Sequence, residues 1–275
     1  MRRREFLIGS TIAGWGQTPD RAKLDRIAIM TLCFSSVLKT TLDILDAPQM
    51  IADRYGVHHV EVQHSHFLST EPSYLKEFRA RVAKAKSQMN QICLEFGPLN
   101  ISSPDPVLRV ETIDLTKKWI DHAVELGCPR VMVNQGTLAP EVRQTAIATL
   151  KTIGDYGKTQ NVAVTMENRG NGGAGTASWE VVVEVIKAAG IYANPDVGNF
   201  ANEEARAAGL RALYPLSSGS SHCHYDPERF SEANAINISK EVGYGGLYSI
   251  EASRNNGPDP YAAVQTILDE LLKDL

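Results

Sequence analysis

The sequence predicts one α/β domain, a single (β/α)8 or TIM barrel that spans residues 23–275. Eight short apolar segments alternate with eight segments of helical spacing, which favours a parallel sheet closed into a barrel. Glycines repeatedly follow the helical segments, at the positions where helices commonly end. The alternative, an open doubly wound sheet, is weaker because no Gly-x-Gly-x-x-Gly motif follows the first strand.

The first four units share one pattern, an apolar strand followed by an amphipathic helix. The first strand is rich in β-branched side chains, and the first and third helices stop at glycines. The predicted strand and helix of each unit are 26–34 and 41–56, 57–63 and 72–90, 91–99 and 107–127, and 129–136 and 140–161.

The last four units repeat the pattern. Their strands are apolar until their carboxyl ends, which is typical of parallel strands buried under helices. The predicted pairs are 162–168 and 178–190, 191–196 and 202–213, 220–226 and 228–243, and 246–252 and 260–275. The seventh helix is mostly polar and only weakly helical.

Residues 1–22 differ from the rest of the chain and are excluded from the predicted barrel. Arg2, Arg3 and Arg4 precede Phe6 and Leu7, an order that resembles a twin-arginine export signal. We therefore expect recognition by the twin-arginine export machinery and a periplasmic location. The alternative is a disordered basic tail on a cytoplasmic protein.

Composition restricts the class of partner. The formal net charge is −4 and no basic stretch follows the first four residues, so a nucleic-acid partner has no electrostatic support. No segment is long and apolar enough to span a membrane. The four cysteines lie far apart and are expected to be separate buried thiols. A homo-oligomer remains open.

Polar side chains stand at the carboxyl ends of the predicted strands, where barrel enzymes carry their active groups. The last four strands deliver three carboxylates and an imidazole to one rim, and period-two alternation places His222, His224 and Asp226 on one face of the seventh strand. The strand-end residues are Glu61, Glu95, Asn134, Glu167, Asp196, His222, His224, Asp226 and Glu251.

Three carboxylates that converge in a partly buried mouth repel one another unless a cation compensates them. Oxygen ligands with one imidazole suit Mn²⁺, Mg²⁺, Co²⁺ or Zn²⁺. The sequence therefore predicts a divalent metal ion held by Glu167, Asp196, His224 and Glu251. As ligands of one ion, Glu167 and Glu251 are expected to lie within about 10 Å of each other.

Four stretches, VTMENRG, NPDVGNF, SHCHYD and LYSIEAS, resemble strand-end motifs of the xylose isomerase-like barrels, in particular sugar phosphate isomerases and epimerases that include ketose 3-epimerases. The resemblance covers roughly residues 25–275 and implies the same four metal ligands. Asn199 stands where the epimerase branch usually has a histidine, and Tyr225 where many members have a lysine. These departures leave the substrate open, and an export signal favours an unphosphorylated sugar or glycoside.

The expected activity is metal-dependent isomerisation or epimerisation of a small sugar or keto-sugar, by proton abstraction beside a carbonyl. Glu167 and Glu251 are the expected acid–base pair. The expected substrate contacts are Glu61, His222, Asn199, Asp226 and Arg254, and Arg169 could also contact substrate hydroxyls. The alternative for His222 is a core histidine, and the simpler interpretation of Arg169 and Arg254 is a salt bridge at the rim.

The sequence leaves three alternative functions. A lyase or dehydratase acting on a keto-sugar shares the first proton abstraction. A non-catalytic sugar-binding barrel would have lost a ligand, and a metal-dependent endonuclease would need more histidines and a basic face. Glu167→Gln is expected to preserve the fold, and even to stabilise it, by relieving carboxylate repulsion.

Overall fold

Eight parallel strands form a nearly closed barrel in a computed structural model that describes residues 21–38, 40–169, 177–252 and 257–275. The predicted (β/α)8 fold is therefore confirmed. The strands are β1 Ile27–Met30, β2 His59–Gln63, β3 Gln88–Leu94, β4 Arg130–Val133, β5 Ala163–Glu167, β6 Tyr192–Asn194, β7 Ser220–Cys223 and β8 Leu247–Ile250.

A helix follows each strand and packs outside the sheet. These helices are α1 Ala47–Tyr55, α2 Pro72–Lys84, α3 Pro106–Leu126, α4 Pro140–Thr159, α5 Trp179–Ala189, α6 Glu203–Leu213, α7 Glu232–Glu241 and α8 Pro260–Asp274. A short helix, Arg21–Leu24, precedes β1. Within the described residues, no helix is long and apolar enough to cross a membrane.

Local sequence signals explain where the helices begin and end. Asp105 and Asp259 cap α3 and α8, each side chain accepting a hydrogen bond from a backbone N–H of the first turn. Proline follows each cap, where its missing N–H costs nothing. Gly127 ends α3 at a φ of 69°, a left-handed conformation that favours glycine.

The barrel closes where its hydrogen bonding is sparsest. Neighbouring strands pair in the order β6-β5-β4-β3-β2-β1-β8-β7, all in parallel. Two isolated bridges join the chain segments that contain β6 and β7. They pair Ala193 with Ser217 and Asp196 with His222. The bridge between Asp196 and His222 joins two of the predicted site residues, so the site lies at the seam between β6 and β7 where the barrel closes.

The interior of the barrel is polar near its axis, whereas the layer between sheet and helices is aliphatic. Gln91 donates to Glu61 and Asn194 and accepts from Thr165, all of them buried. Buried polar groups need such partners because an unmade hydrogen bond is costly in low dielectric. All four cysteines are buried and unpaired, as predicted.

Several predicted helices and strands were too long. The predicted helix 72–90 ends at Lys84, and Lys86 takes a φ of 53° that breaks the helix. Gln88 already pairs with His59 in the sheet, so sheet pairing prevailed over a continuing helical pattern. The first strand likewise ends at Met30, where a 3-10 turn begins, and β7 ends at Cys223 rather than at Asp226.

Candidate metal centre

Four side chains from consecutive strands converge at the carboxyl rim of the barrel. Glu167 ends β5, Asp196 follows β6, His222 lies in β7 and Glu251 follows β8. Each can offer one ligand atom such that all four atoms lie within 4.8 Å of one another. The expected closeness of Glu167 and Glu251 is therefore met, and we call these four residues the rim cluster.

His222 lies at the centre of the rim cluster. Its Nδ1 is 2.8 Å from Glu167 Oε1 and 2.9 Å from Glu251 Oε2, and its Nε2 is 2.8 Å from Glu61 Oε1. Burial alone would lower the pKa of His222, but the surrounding carboxylates, Glu61 foremost, raise it well above its usual range. The imidazolium compensates charges that a metal ion could compensate instead.

His224 lies beside the rim cluster, on Asp196. Its Nε2 is 2.9 Å from Asp196 Oδ2 and 3.7 Å from Glu251 Oε2. Burial opposes its charge, yet Asp196 raises the pKa of His224 to about 9. The structure thus presents two imidazoles to the carboxylates, whereas the sequence singled out only His224 as a ligand.

The three carboxylates of the rim cluster differ in the direction of their pKa shifts. Burial would raise the pKa of Glu167 and Glu251, but His222 lowers both below their usual range, and Arg169 assists at Glu167. Burial raises the pKa of Asp196, an effect that His224 opposes only in part. Glu167 and Glu251 are therefore ionised at neutral pH, the state that a proton-accepting carboxylate must be in.

Arg169 links Glu167 to the outer rim. Its Nε is 2.9 Å from Glu167 Oε2, and its Nη2 pairs with Glu95, which also accepts a hydrogen bond from Asn134. Burial opposes the charge of Arg169, but Glu167 and Glu95 raise its pKa further. Arg169 therefore forms the salt bridge that was the simpler interpretation of this residue.

A cavity of about 270 Å³ opens above the rim cluster. Its lining combines apolar side chains with amide, carboxylate and guanidinium groups. The lining residues are Met30, Leu32, Gln63, Cys93, Glu95, Met132, Glu167, Arg169, His222 and Glu251. A site of this kind combines an apolar surface with a few converging polar groups, which is typical of small-molecule sites.

The predicted substrate contacts meet different outcomes. Glu61 is fully buried, bonded to His222, Gln91 and Asn90, so it lies behind the cluster and not on the cavity wall. Asn199 donates to Asp196 Oδ2 at 2.9 Å, which orients that carboxylate.

Asp226 does not join the cluster either. Because β7 ends at Cys223, the alternation of faces does not extend to Asp226, which instead accepts backbone hydrogen bonds from Arg229 and Phe230. Arg254 lies outside the described residues.

Asn168 was assigned no role in the sequence analysis. Asn168 is buried, and its side-chain amide bonds both backbone groups of Asp196. An asparagine directly after a strand-end carboxylate was the one available signal, and asparagine is common enough in loops to carry little information.

Comparison with solved structures agrees with the barrel fold. The fold closely matches a D-tagatose 3-epimerase-like protein (TM-score 0.70, 22% identity, covering 90% of this chain and 97% of that one). It also matches L-ribulose 3-epimerase (TM-score 0.74, 15% identity, 90% and 94% covered). A third match is a xylose isomerase-like TIM barrel protein from Mycobacterium smegmatis in complex with magnesium (TM-score 0.68, 18% identity, 90% and 96% covered).

No curated protein matches the chain in sequence. The sequence pattern of the xylose isomerase-like TIM barrels, by contrast, matches residues 51–228, which is more than half of the chain. The chain therefore belongs to the xylose isomerase-like TIM barrel family.

Proposed function

We propose that this protein is a divalent-metal-dependent sugar isomerase or epimerase that removes a proton next to a carbonyl. The observation that carries the proposal is the rim cluster, three carboxylates and an imidazole whose ligand atoms lie within 4.8 Å of one another under an open cavity. The family and the epimerases among its structural neighbours support the same class of reaction.

The donor set fits a divalent cation. Glu167, Asp196 and Glu251 supply oxygen atoms, and His222 or His224 supplies one imidazole nitrogen. Mn²⁺, Mg²⁺, Co²⁺ and Zn²⁺ all accept such a set. A cation bound there supplies Lewis-acid polarisation of the substrate carbonyl, which acidifies the adjacent C–H bond.

The chain's own residues provide the proton transfers. Glu167 and Glu251 both have a lowered pKa, both reach His222 Nδ1 and both line the cavity. With a substrate carbon between them, one carboxylate accepts the proton and the other returns one to the opposite face. Arg169 holds Glu167 on one side, so the carboxylate stays oriented toward the cavity.

The substrate we propose is a small neutral sugar, keto-sugar or glycoside. Among the described residues that line the cavity, Arg169 and His222 are the cationic side chains, and both already pair with carboxylates of the site. A phosphate placed there would face carboxylates without a cation of its own. The twin-arginine pattern of residues 1–22 supports an exported enzyme, for which unphosphorylated sugars are the suitable substrates.

Deuterium wash-in from D₂O tests the proposal. Paired unphosphorylated and phosphorylated ketoses are incubated with protein loaded with Mn²⁺, and with protein treated with EDTA as the control. We expect deuterium at the carbon next to the carbonyl only in the metal-loaded sample and only with unphosphorylated sugars. Wash-in accompanied by loss of a substituent would indicate the lyase instead, and no exchange with any sugar would contradict the proposal.

A further inference from the structure

Asp196 lies at a break in the sheet. β5 and β6 pair as far as Glu167 and Asn194, and the next residue of the β6 segment is Pro195, which has no N–H to continue the ladder. In the part of the chain that the structure describes, Asp196 therefore follows its strand without a backbone partner on the β5 side. A metal ligand at such a position needs another constraint, because its backbone is otherwise free to shift.

Asn168 supplies that constraint from the end of β5. Its Oδ1 accepts a hydrogen bond from Asp196 N–H at 2.8 Å, and its Nδ2 donates to the carbonyl oxygen of Asp196 at 3.1 Å. The same Nδ2 lies 3.4 Å from the carbonyl oxygen of Asn199. Asn168 is 1% exposed, so water does not compete for these bonds.

The other side of the β6 segment is held by β7. His222 N–H donates to Pro195 and Val197 N–H donates to His222, at 2.8 and 3.2 Å. With its backbone fixed on both sides, Asp196 presents Oδ1 to Gly198 N–H and Oδ2 to Asn199 and His224. The side-chain amide of Asn168 thus continues the β5–β6 ladder up to the level of the rim cluster.

We infer that Asn168 is a positioning residue for the metal centre, which it serves by fixing the backbone of Asp196. The inference rests on the proposed function, since it assigns Asp196 to a bound cation. Partners of metal ligands typically contribute 10- to 100-fold to metal affinity, about the effect we expect when Asn168 is removed.

Calorimetric titration with Mn²⁺ tests the inference, using Asn168→Ala and wild type. Ser239→Ala is the matched control, because Ser239 is equally buried and makes two hydrogen bonds, to Ile236 and Tyr248, away from the rim cluster. We expect Asn168→Ala to weaken Mn²⁺ binding about 10- to 100-fold. Ser239→Ala should lose thermal stability while binding Mn²⁺ as wild type does. Saturating Mn²⁺ should restore most of the deuterium exchange of Asn168→Ala.

Asn168→Asp provides a second test should the alanine variant not fold. The aspartate keeps an acceptor for Asp196 N–H but has no donor for the Asp196 carbonyl oxygen. Its added negative charge favours cation binding, so weaker Mn²⁺ binding by the folded variant would indicate lost positioning. Affinity equal to or above wild type in the folded Asn168 variants would overturn the inference. Absence of Mn²⁺ binding by wild type would instead overturn the proposed function.

Discussion

Glu167 contributes both to the stability of the barrel and to the proposed chemistry. Its carboxylate accepts from His222 and Arg169 at 2.8 and 2.9 Å and faces the cavity. The expectation that neutralising Glu167 stabilises the protein is therefore revised, because the carboxylate has two cationic partners in the metal-free state. The pKa of Glu167 is lower in the folded protein than in the unfolded chain, so its ionised form stabilises the fold at any pH above the unfolded pKa. This stabilisation is lost as the pH falls through the folded pKa.

Glu167→Gln should reduce proton exchange by a factor of about 10² to 10⁴, as expected for loss of a general base. It should also weaken metal binding and cost about 1–3 kcal/mol of unfolding free energy at pH 7 without metal. Deuterium wash-in and urea unfolding measure the two effects. Glu95→Gln is the control: it removes the other partner of Arg169 and should affect exchange much less. Wild-type exchange in Glu167→Gln would show that this strand merely ends on a glutamate.

The convergence of the strand-end residues could be predicted from the sequence, because parallel strands direct their carboxyl ends to one rim. Glu167, Asp196 and Glu251 were found in this way and do converge. The role of His222 could not be fixed, because alternation places His222 and His224 on the same face and leaves their depth in the barrel undetermined. The depth of Glu61 could not be predicted for the same reason: a strand residue can face the interior below the cavity, where Glu61 lies, rather than the cavity itself.

At the scale of elements, the beginning of α7 carries an unusual buried acid. Glu232 follows the capping residue Ser231, and among the described residues neither of its carboxylate oxygens has a hydrogen-bond partner. Burial, with contributions from Asp274 and Glu270, raises the pKa of Glu232 from 4.5 to about 8. Because folding favours the protonated form, stability is present below the unfolded pKa and is lost as the pH rises toward the folded value.

Glu232→Gln should therefore become more stabilising as the pH rises. Wild type and variant should have similar stability near pH 4.5, whereas at pH 7 the variant should gain up to about 3 kcal/mol, since one pKa unit corresponds to about 1.4 kcal/mol. Urea unfolding at both pH values measures the difference. An identical difference at the two pH values would mean that Glu232 ionises in the folded protein as it does in the unfolded chain.

Element boundaries followed the sequence less well than element order. Hydrophobic periodicity located all eight strands and their helices, but it extended helix α2 through residues that pair in β3. The left-handed conformation of Lys86 ends that helix, and nothing in a lysine predicts it. Polar strand ends were likewise counted as strand, because the ladder stops earlier than the hydrophobic pattern does.

Considered as a whole molecule, the barrel brings its site and its weakest seam together. The β6 and β7 segments are joined by isolated bridges, one of them between Asp196 and His222, instead of a continuous ladder. The rim cluster draws on the ends of β5, β6, β7 and β8. A cation held by these residues would join four strands across that seam. Metal binding should therefore stabilise the barrel, since a ligand at 100 times its dissociation constant contributes about 2.7 kcal/mol.

The most direct test of the account is thermal unfolding combined with calorimetric titration of the metal-free protein with Mn²⁺. We predict one ion bound per chain, a melting temperature that rises with Mn²⁺ concentration, and reversal of both by EDTA. Glu167→Gln should show a smaller rise at the same concentration. If Mn²⁺, Mg²⁺, Co²⁺ and Zn²⁺ all failed to bind or to shift the melting temperature, the rim cluster would be a network of buried salt bridges and not a metal centre.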